Sequence, residues 1–375
     1  MMYIAIVISV LYSSLIIGFI VGFNNLKTFK NIKFIPKNTF SIVIAFKNEV
    51  ENLPNLLQSI SKINYPANLF EILLVNDNSI DGFEKIITNF INQNPQLPIV
   101  LLNNKRISNS PKKDAISTGI QNSTFDWIVS TDADCEVPIN WLQNFNQVIE
   151  EKKPFLISAP VSFNNKNSFL FHFQNLNFIS LIGSTIGGFG IKKPFMCNGA
   201  NLCYSKKIFI ELNGFAGNEN IASGDDIFLL EKMTEKYPIK THFLKSEDAI
   251  VLTNSEKTWK QFLNQQIRWA SKSTSYKNNF AKFVGITVFA ENLLVLLTIT
   301  MALLNPLYWK IGFIIFIQKT LFDFILINKT AQFLKNKKSL KYFPIISLLY
   351  PFFIIFIAVI TNFKKYEWKG KTYKK

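Results

Sequence analysis

Residues 125–137 read FDWIVSTDADCEV, and the reading of this stretch decides the fold. Phe125–Ser130 is a nearly continuous apolar run that ends in two aspartates one residue apart, Asp132 and Asp134. Like charges this close repel, and a strand end gains nothing from them unless they share a cation. A short apolar run with polar bounds suits a buried strand of a parallel sheet. In such sheets ligands sit beyond the carboxyl ends of the strands. Two carboxylates on a short turn there form a hard-oxygen site for a divalent cation. Mg²⁺ takes one or two protein carboxylates and completes its shell with water and phosphate. A cation-bridged diphosphate therefore resolves the repulsion.

Working outward, residues 39–163 alternate between two textures. Apolar, β-branched or aromatic runs lie at 40–46, 72–75, 99–102, 127–129 and 155–158. Helix-length amphipathic stretches lie between them at 49–63, 82–92, 112–122 and 140–152. Leu53, Leu56, Leu57 and Ile60 follow the i, i+3, i+4, i+7 period of one helix face. Strands alternating with helices of this length predict βαβ units and a mostly parallel sheet, an α/β fold. Acidic groups then gather at one sheet edge: KNE at 47–49, NDNSIDG at 76–82 and TDADC at 131–135.

Several residues along that edge have matching chemistry. Asp77, at a strand end, is placed to accept hydrogen bonds from a nucleobase N–H or a ribose hydroxyl. Asp81 does the same or caps the next helix. Lys112, ahead of a helix, meets a phosphate or stays solvated. Asp225 and Asp226 open an apolar helical run; adjacent side chains on a helix diverge, so one caps or pairs while the other faces a cleft. A carboxylate near a second acidic cluster is suited to take a proton from an alcohol. Gln265, Arg268 and Trp269 share part of one helical surface, either as interfacial anchors or with the arginine fork turned to a phosphate or carboxylate. Glycine-rich 183–190 follows a helical pattern rather than a strand, so it reads as a flexible turn and not a phosphate loop.

Composition narrows the partners. The chain of 375 residues has a net charge of +16, which suits an anionic partner. Nucleic acid is the poorer match: the only arginines are Arg106 and Arg268, and the lysines cluster beside apolar runs, as in proteins facing anionic lipid. Three cysteines without a CxxC spacing read as reduced thiols. Residues 1–23 carry no charge and are long enough to cross a bilayer, so they read as a retained anchor. Lys27, Lys30, Lys33 and Lys37 then place the next segment in the cytoplasm. Further apolar segments occupy 283–304, 307–327 and 342–363. Four crossings put the lysine-rich tail outside, against the charge rule. Lys310, Lys319 and Asp323 make 307–327 the segment expected not to cross simply, being interfacial or shielded by neighbours.

In order, SIVIAFKNEVENL, LLVNDNSIDG, PKKDAISTGI, TDADCEVP, CNGANLCYSKKIFIELNGF, SGDDIFLLEKM, QQIRW and WKGKTY resemble the membrane-bound family 2 glycosyltransferases. The resemblance runs from about Thr39 to Arg268, with an echo at 368–370. It implies a GT-A fold, a nucleotide-diphosphate sugar donor, a divalent metal (Mg²⁺ or Mn²⁺) and inversion. It implies that Asp77 holds the nucleoside, that Asp132 and Asp134 are the DxD around diphosphate and metal, and that Asp226 is the general base. Gln265, Arg268 and Trp269 match the QxxRW motif, which contacts donor phosphate and the acceptor end in relatives. Two departures stand out: Asn76 replaces an acid of the family's DDxSxDG, and Asn213 replaces a glycine before Gly214.

The expected organisation is an anchor at 1–23, a GT-A domain at 38–270, an interfacial linker at 271–282, transmembrane or interfacial helices at 283–363 and a basic tail at 364–375. The expected protein sits in a bacterial inner membrane with its catalytic domain in the cytoplasm. It transfers one sugar from a UDP-sugar to a lipid or glycan acceptor at the membrane. A processive polysaccharide synthase and a non-catalytic scaffold are the alternatives.

Overall fold

The computed structural model describes residues 2–29, 35–273, 275–369 and 371–373; Lys30, Lys33 and Gly370 lie outside the described residues. Helix α1 (Met2–Asn25) leads to β1 (Phe40–Phe46), α2 (Leu53–Ile60), β2 (Phe70–Asn76), α3 (Phe83–Gln93), β3 (Ile99–Asn103), α4 (Pro111–Asn122), β4 (Trp127–Ser130), α5 (Trp141–Lys152), β5 (Leu156–Ser158) and β6 (Val161–Phe163). There follow α6 (Phe169–Gly190), β7 (Leu202–Ser205), α7 (Lys206–Glu211), α8 (Asp225–Lys236), β8 (Thr241–Phe243), β9 (Val251–Thr253) and α9 (Trp259–Ser273). Helices α10 (Asn279–Leu304), α11 (Trp309–Phe333) and α12 (Phe343–Ile360) and a hairpin of β10 (Tyr366–Trp368) and β11 (Lys371–Tyr373) complete the chain.

Two compact units result. One comprises Lys27–Asn164 and Met196–Asn254; the other comprises Met1–Leu26, Asn165–Phe195 and Ser255–Lys375. Compactness therefore divides the continuous 38–270 segment, grouping α6 and α9 with the apolar helices.

The first unit is built on a seven-stranded sheet of order β3-β2-β1-β4-β7-β5-β8, with β7 antiparallel to both neighbours. The expected α/β architecture is present. Strand β2 is buried along its whole length, as a near-continuous apolar run demands when helices cover both faces. Leu53, Leu56, Leu57 and Ile60 form the buried face of α2, each worth about 1.5–3 kcal/mol on burial. The strand order reverses between β1 and β4, which brings the carboxyl ends of β2, β1 and β4 side by side. That reversal is where open α/β sheets bind ligands. Asn201 locks the far side: it accepts from the Trp141 indole at 2.9 Å and donates to the carbonyls of Pro160 and Ala249.

In the second unit, four helices are long and apolar enough to cross a membrane: Tyr3–Asn25, Asn279–Leu304, Trp309–Phe333 and Lys337–Ile360. Two of the charges of α11, Lys319 and Asp323, are met inside the bundle. Lys319 pairs with Asp323 at 2.6 Å, Tyr12 donates to Asp323 at 2.5 Å, and Gln318 donates to Ser13 at 2.5 Å. On α10, Glu291 accepts from Ser9. Helix α12 packs on α9, with Phe353 stacked on Phe262 at 5.3 Å and Ile357 against Ile267. The β10–β11 hairpin also lies against α9.

The glycine-rich stretch at 183–190 is not a flexible turn but the last two turns of α6. Its glycines admit α1: a Cβ at Gly187 would sit 2.6 Å from the Cα of Phe19, and one at Gly22 would sit 2.1 Å from the carbonyl oxygen of Gly187. Small residues at helix contacts permit this approach, an alternative to turn formation that composition alone does not separate.

Candidate active site

The acids at the sheet edge are gathered by cations from the same unit. Helix α4 begins with Pro111, whose fixed φ suits the first helical turn. Its first-turn Lys112 reaches Asp132 at 2.7 Å and Asp225 at 3.4 Å. One ammonium therefore joins the TDAD turn after β4 to the acid pair that opens α8. Lys112 is held protonated: burial pushes its pKa down, and Asp132 and Asp225 more than offset this, so the net direction is up.

Asp226 accepts from the Gly199 N–H at 3.1 Å through Oδ2 and from the Ile227 N–H at 2.8 Å through Oδ1. Neither acid caps α8; the N-cap is Gly224. The two carboxylates thus divide as adjacent helix positions must, Asp225 toward Lys112 and Asp226 toward the backbone of Gly199. Asp134 accepts from the Thr253 hydroxyl at 3.3 Å. Cys135 beside it is buried, and burial with the two aspartates raises its thiol pKa, so it is not a reactive thiolate.

Asp77, directly after β2, is buried. Arg106 grips it in a two-pronged ion pair, Nε at 2.6 Å and Nη2 at 2.7 Å, and Asn104 adds a 2.6 Å bond. The sequence alone gives Arg106 no role beyond its rarity; its position just after β3 is the one signal. Asn76 donates to Asn103 and accepts from the Ser79 N–H, stabilising the turn after β2. Asp81 does not cap α3, whose N-cap is Gly82. It accepts from the Val50 N–H at 2.8 Å and ties down the turn after β1.

Gln265, Arg268 and Trp269 lie on α9, in the other compact unit. Gln265 donates to Glu256 at 2.9 Å. Burial raises the Glu256 pKa, a shift that Arg268 and Lys369 oppose. Trp269 packs against Phe178 with centroids 6.5 Å apart.

Among the described residues no group of three or more His, Cys, Asp or Glu side chains converges as a metal cluster. Asp132 and Asp134 offer two carboxylates, the hard-oxygen set that suits Mg²⁺ or Mn²⁺ when substrate phosphate supplies further ligands. The donor set fits such a cation.

Comparison with known proteins places the chain in a family and agrees with its fold. A family model described as Glycosyl transferase family 2 matches residues 41–212, and one described as Glycosyl transferase family group 2 matches residues 127–360. The chain is 23% identical to Probable glycosyltransferase YdaM of Bacillus subtilis over 91% of its own length and 84% of that protein. It is 27% identical to Glycosyltransferase AglE of Haloferax volcanii over 34% of its length and 40% of that protein. It is 25% identical to Poly-beta-1,6-N-acetyl-D-glucosamine synthase of Staphylococcus aureus over 38% of its length and 33% of that protein. The last two matches thus span less than half of the relatives. Among solved structures, the mannosyltransferase PcManGT from Pyrobaculum calidifontis, in complex with GDP-Man and Mn²⁺, aligns with a TM-score of 0.57. That alignment covers 96% of this chain and 98% of that one at 16% identity, a likeness of fold. The α/β unit has the GT-A arrangement.

Proposed function

The chain belongs to glycosyl transferase family group 2 and is a glycosyltransferase, and from that premise we propose that it uses a nucleotide sugar, a UDP-sugar, and transfers one sugar from it to a hydroxyl of a membrane lipid with inversion. One observation carries this reading: Lys112 lies within 2.7 Å of Asp132 and 3.4 Å of Asp225, so one ammonium gathers acids of two segments beyond β4.

Asp77, backed by Arg106, holds the base or ribose. Lys112 turns its charge to the diphosphate. Asp132 and Asp134 would hold Mg²⁺ or Mn²⁺, which neutralises charge on the departing diphosphate. Asp226 takes the proton of the acceptor hydroxyl while that oxygen bonds to the anomeric carbon. The bond from that carbon to the diphosphate oxygen breaks on the opposite face, so a single displacement inverts configuration. The roles of Gln265, Arg268 and Trp269, contact with donor phosphate and acceptor, rest on the motif alone.

The second unit supports a reading of the side of the membrane. We place α9, the hairpin and the basic tail together in the cytoplasm, with α12 rather than α11 failing to cross simply. The packing of α12 along amphipathic α9 supports this. The alternative of polymer synthesis has one finding in its favour, the similarity to the Poly-beta-1,6-N-acetyl-D-glucosamine synthase of Staphylococcus aureus.

The test is a donor screen: membranes containing the protein receive labelled nucleotide sugars, and the lipid fraction is analysed by mass. A lipid one sugar heavier is expected. A ladder of sizes supports the polymer reading, and neither transfer nor hydrolysis from any donor overturns both.

A further inference from the structure

Two consecutive lysines open α4, against the helix dipole, which favours anions at that end. Local rules broken in this way mark residues held by specific partners. Lys112 has the acids. Lys113 is only 2% exposed, and its ammonium donates to the carbonyls of Asn218 at 2.7 Å and Ile221 at 2.9 Å. It also lies over the ring of Phe228, 4.9 Å from the centroid. A buried ammonium is tolerated only when hydrogen-bonded in this way.

The two carbonyls belong to the segment between α7 and α8, residues 212–224, which has no regular secondary structure. Asn213, Gly214, Gly217 and Gly224 all adopt positive φ there. Such a segment needs external ties to keep one conformation. Lys232 ties its start through the carbonyls of Leu212 and Gly214. Lys113 ties its end, four residues ahead of Asp225. Successive positions on α4 therefore serve one acidic cluster: Lys112 pairs with Asp132 and Asp225, and Lys113 holds the chain that leads into Asp225 and Asp226.

We propose that Lys113 is a positioning residue for transfer: it pins residues 218–221 to the start of α4 and so sets where Asp226 meets the acceptor. This rests on the function proposed above. A displacement of about 1 Å at a reacting group is enough to lose about 10²-fold in rate.

The experiment compares wild type, Lys113→Met and Lys113→Arg as full-length membrane protein. It reads amide hydrogen exchange of residues 215–223, Mn²⁺-dependent UDP affinity and turnover. For Lys113→Met, exchange rises about tenfold, as loss of roughly one net hydrogen bond requires. Turnover falls about 10–100-fold, and UDP affinity stays within about threefold, less than one hydrogen bond is worth. Lys113→Arg, which keeps charge and donors, lies between the two and carries the test if Lys113→Met does not fold. Unchanged exchange overturns the tie. Raised exchange with normal turnover, or UDP affinity lost in step with turnover, overturns the positioning role. The exchange measurement needs no catalysis, so it remains decisive if the chain transfers no sugar.

Discussion

Replacing Asp226 by Asn separates the chemical role of this residue from its structural one. The carboxylate accepts two backbone N–H groups, from Gly199 at 3.1 Å and Ile227 at 2.8 Å. An amide keeps one acceptor and turns an NH₂ toward the other N–H. Because Gly199 is buried, that mismatch is felt, at about 1–2 kcal/mol. A positioned base supplies about 10²–10⁴-fold in rate, or roughly 3–5 kcal/mol of barrier. The chemical effect therefore dominates. In membranes normalised by UDP binding, Asp226→Asn is expected to lose at least about 100-fold in turnover, with UDP affinity nearly unchanged. Asp225→Asn removes only a partner of Lys112 and is expected to lose less than about tenfold. Near-normal turnover for Asp226→Asn, or a larger loss for Asp225→Asn, refutes the assignment of the base.

Three other outcomes follow from the packing. Arg106→Met leaves the buried Asp77 with Asn104 alone. Breaking a buried pair costs about 3–5 kcal/mol, reduced to roughly 2 because Arg106 is partly exposed, so UDP binding measured by calorimetry should weaken about 30-fold. Gly187→Val forces a Cβ against Phe19 and should lower the thermal stability of the solubilised protein by at least about 1–3 kcal/mol. Gly18→Val, where a Cβ meets nothing within 4 Å, should not do so. A fluorescent protein fused after Lys375 should glow in a bacterial host and an alkaline phosphatase fused there should stay inactive; the opposite pair of results refutes a cytoplasmic tail.

Much of the α/β unit is legible in the sequence because its central strands β1, β2 and β4 are buried on both faces. Phe40–Phe46 and the apolar run through Val75 bound themselves by composition, and each helix between them has one apolar face. What composition does not carry is long-range. The insertion of antiparallel β7 between β4 and β5 depends on Asn201 binding Trp141 and two distant carbonyls. Lys113 carries no signal of its own in the sequence, because the carbonyls that it meets lie in a loop a hundred residues away. The charges of α11 read as obstacles to crossing because their partner Tyr12 lies at the other end of the chain. Asp132, Asp225 and Lys112 were each singled out, but only the fold shows that one ammonium reaches both acids.

The central claim is that the TDAD turn holds a divalent cation against the diphosphate of the donor. Titration of UDP into wild type and Asp134→Ala, with Mn²⁺ and then with chelator, tests it most directly. Binding to wild type that needs Mn²⁺, and loss of that dependence in Asp134→Ala, is the predicted result. Equal affinity with metal and with chelator, or an Asp134→Ala protein that still binds UDP only with Mn²⁺, contradicts it.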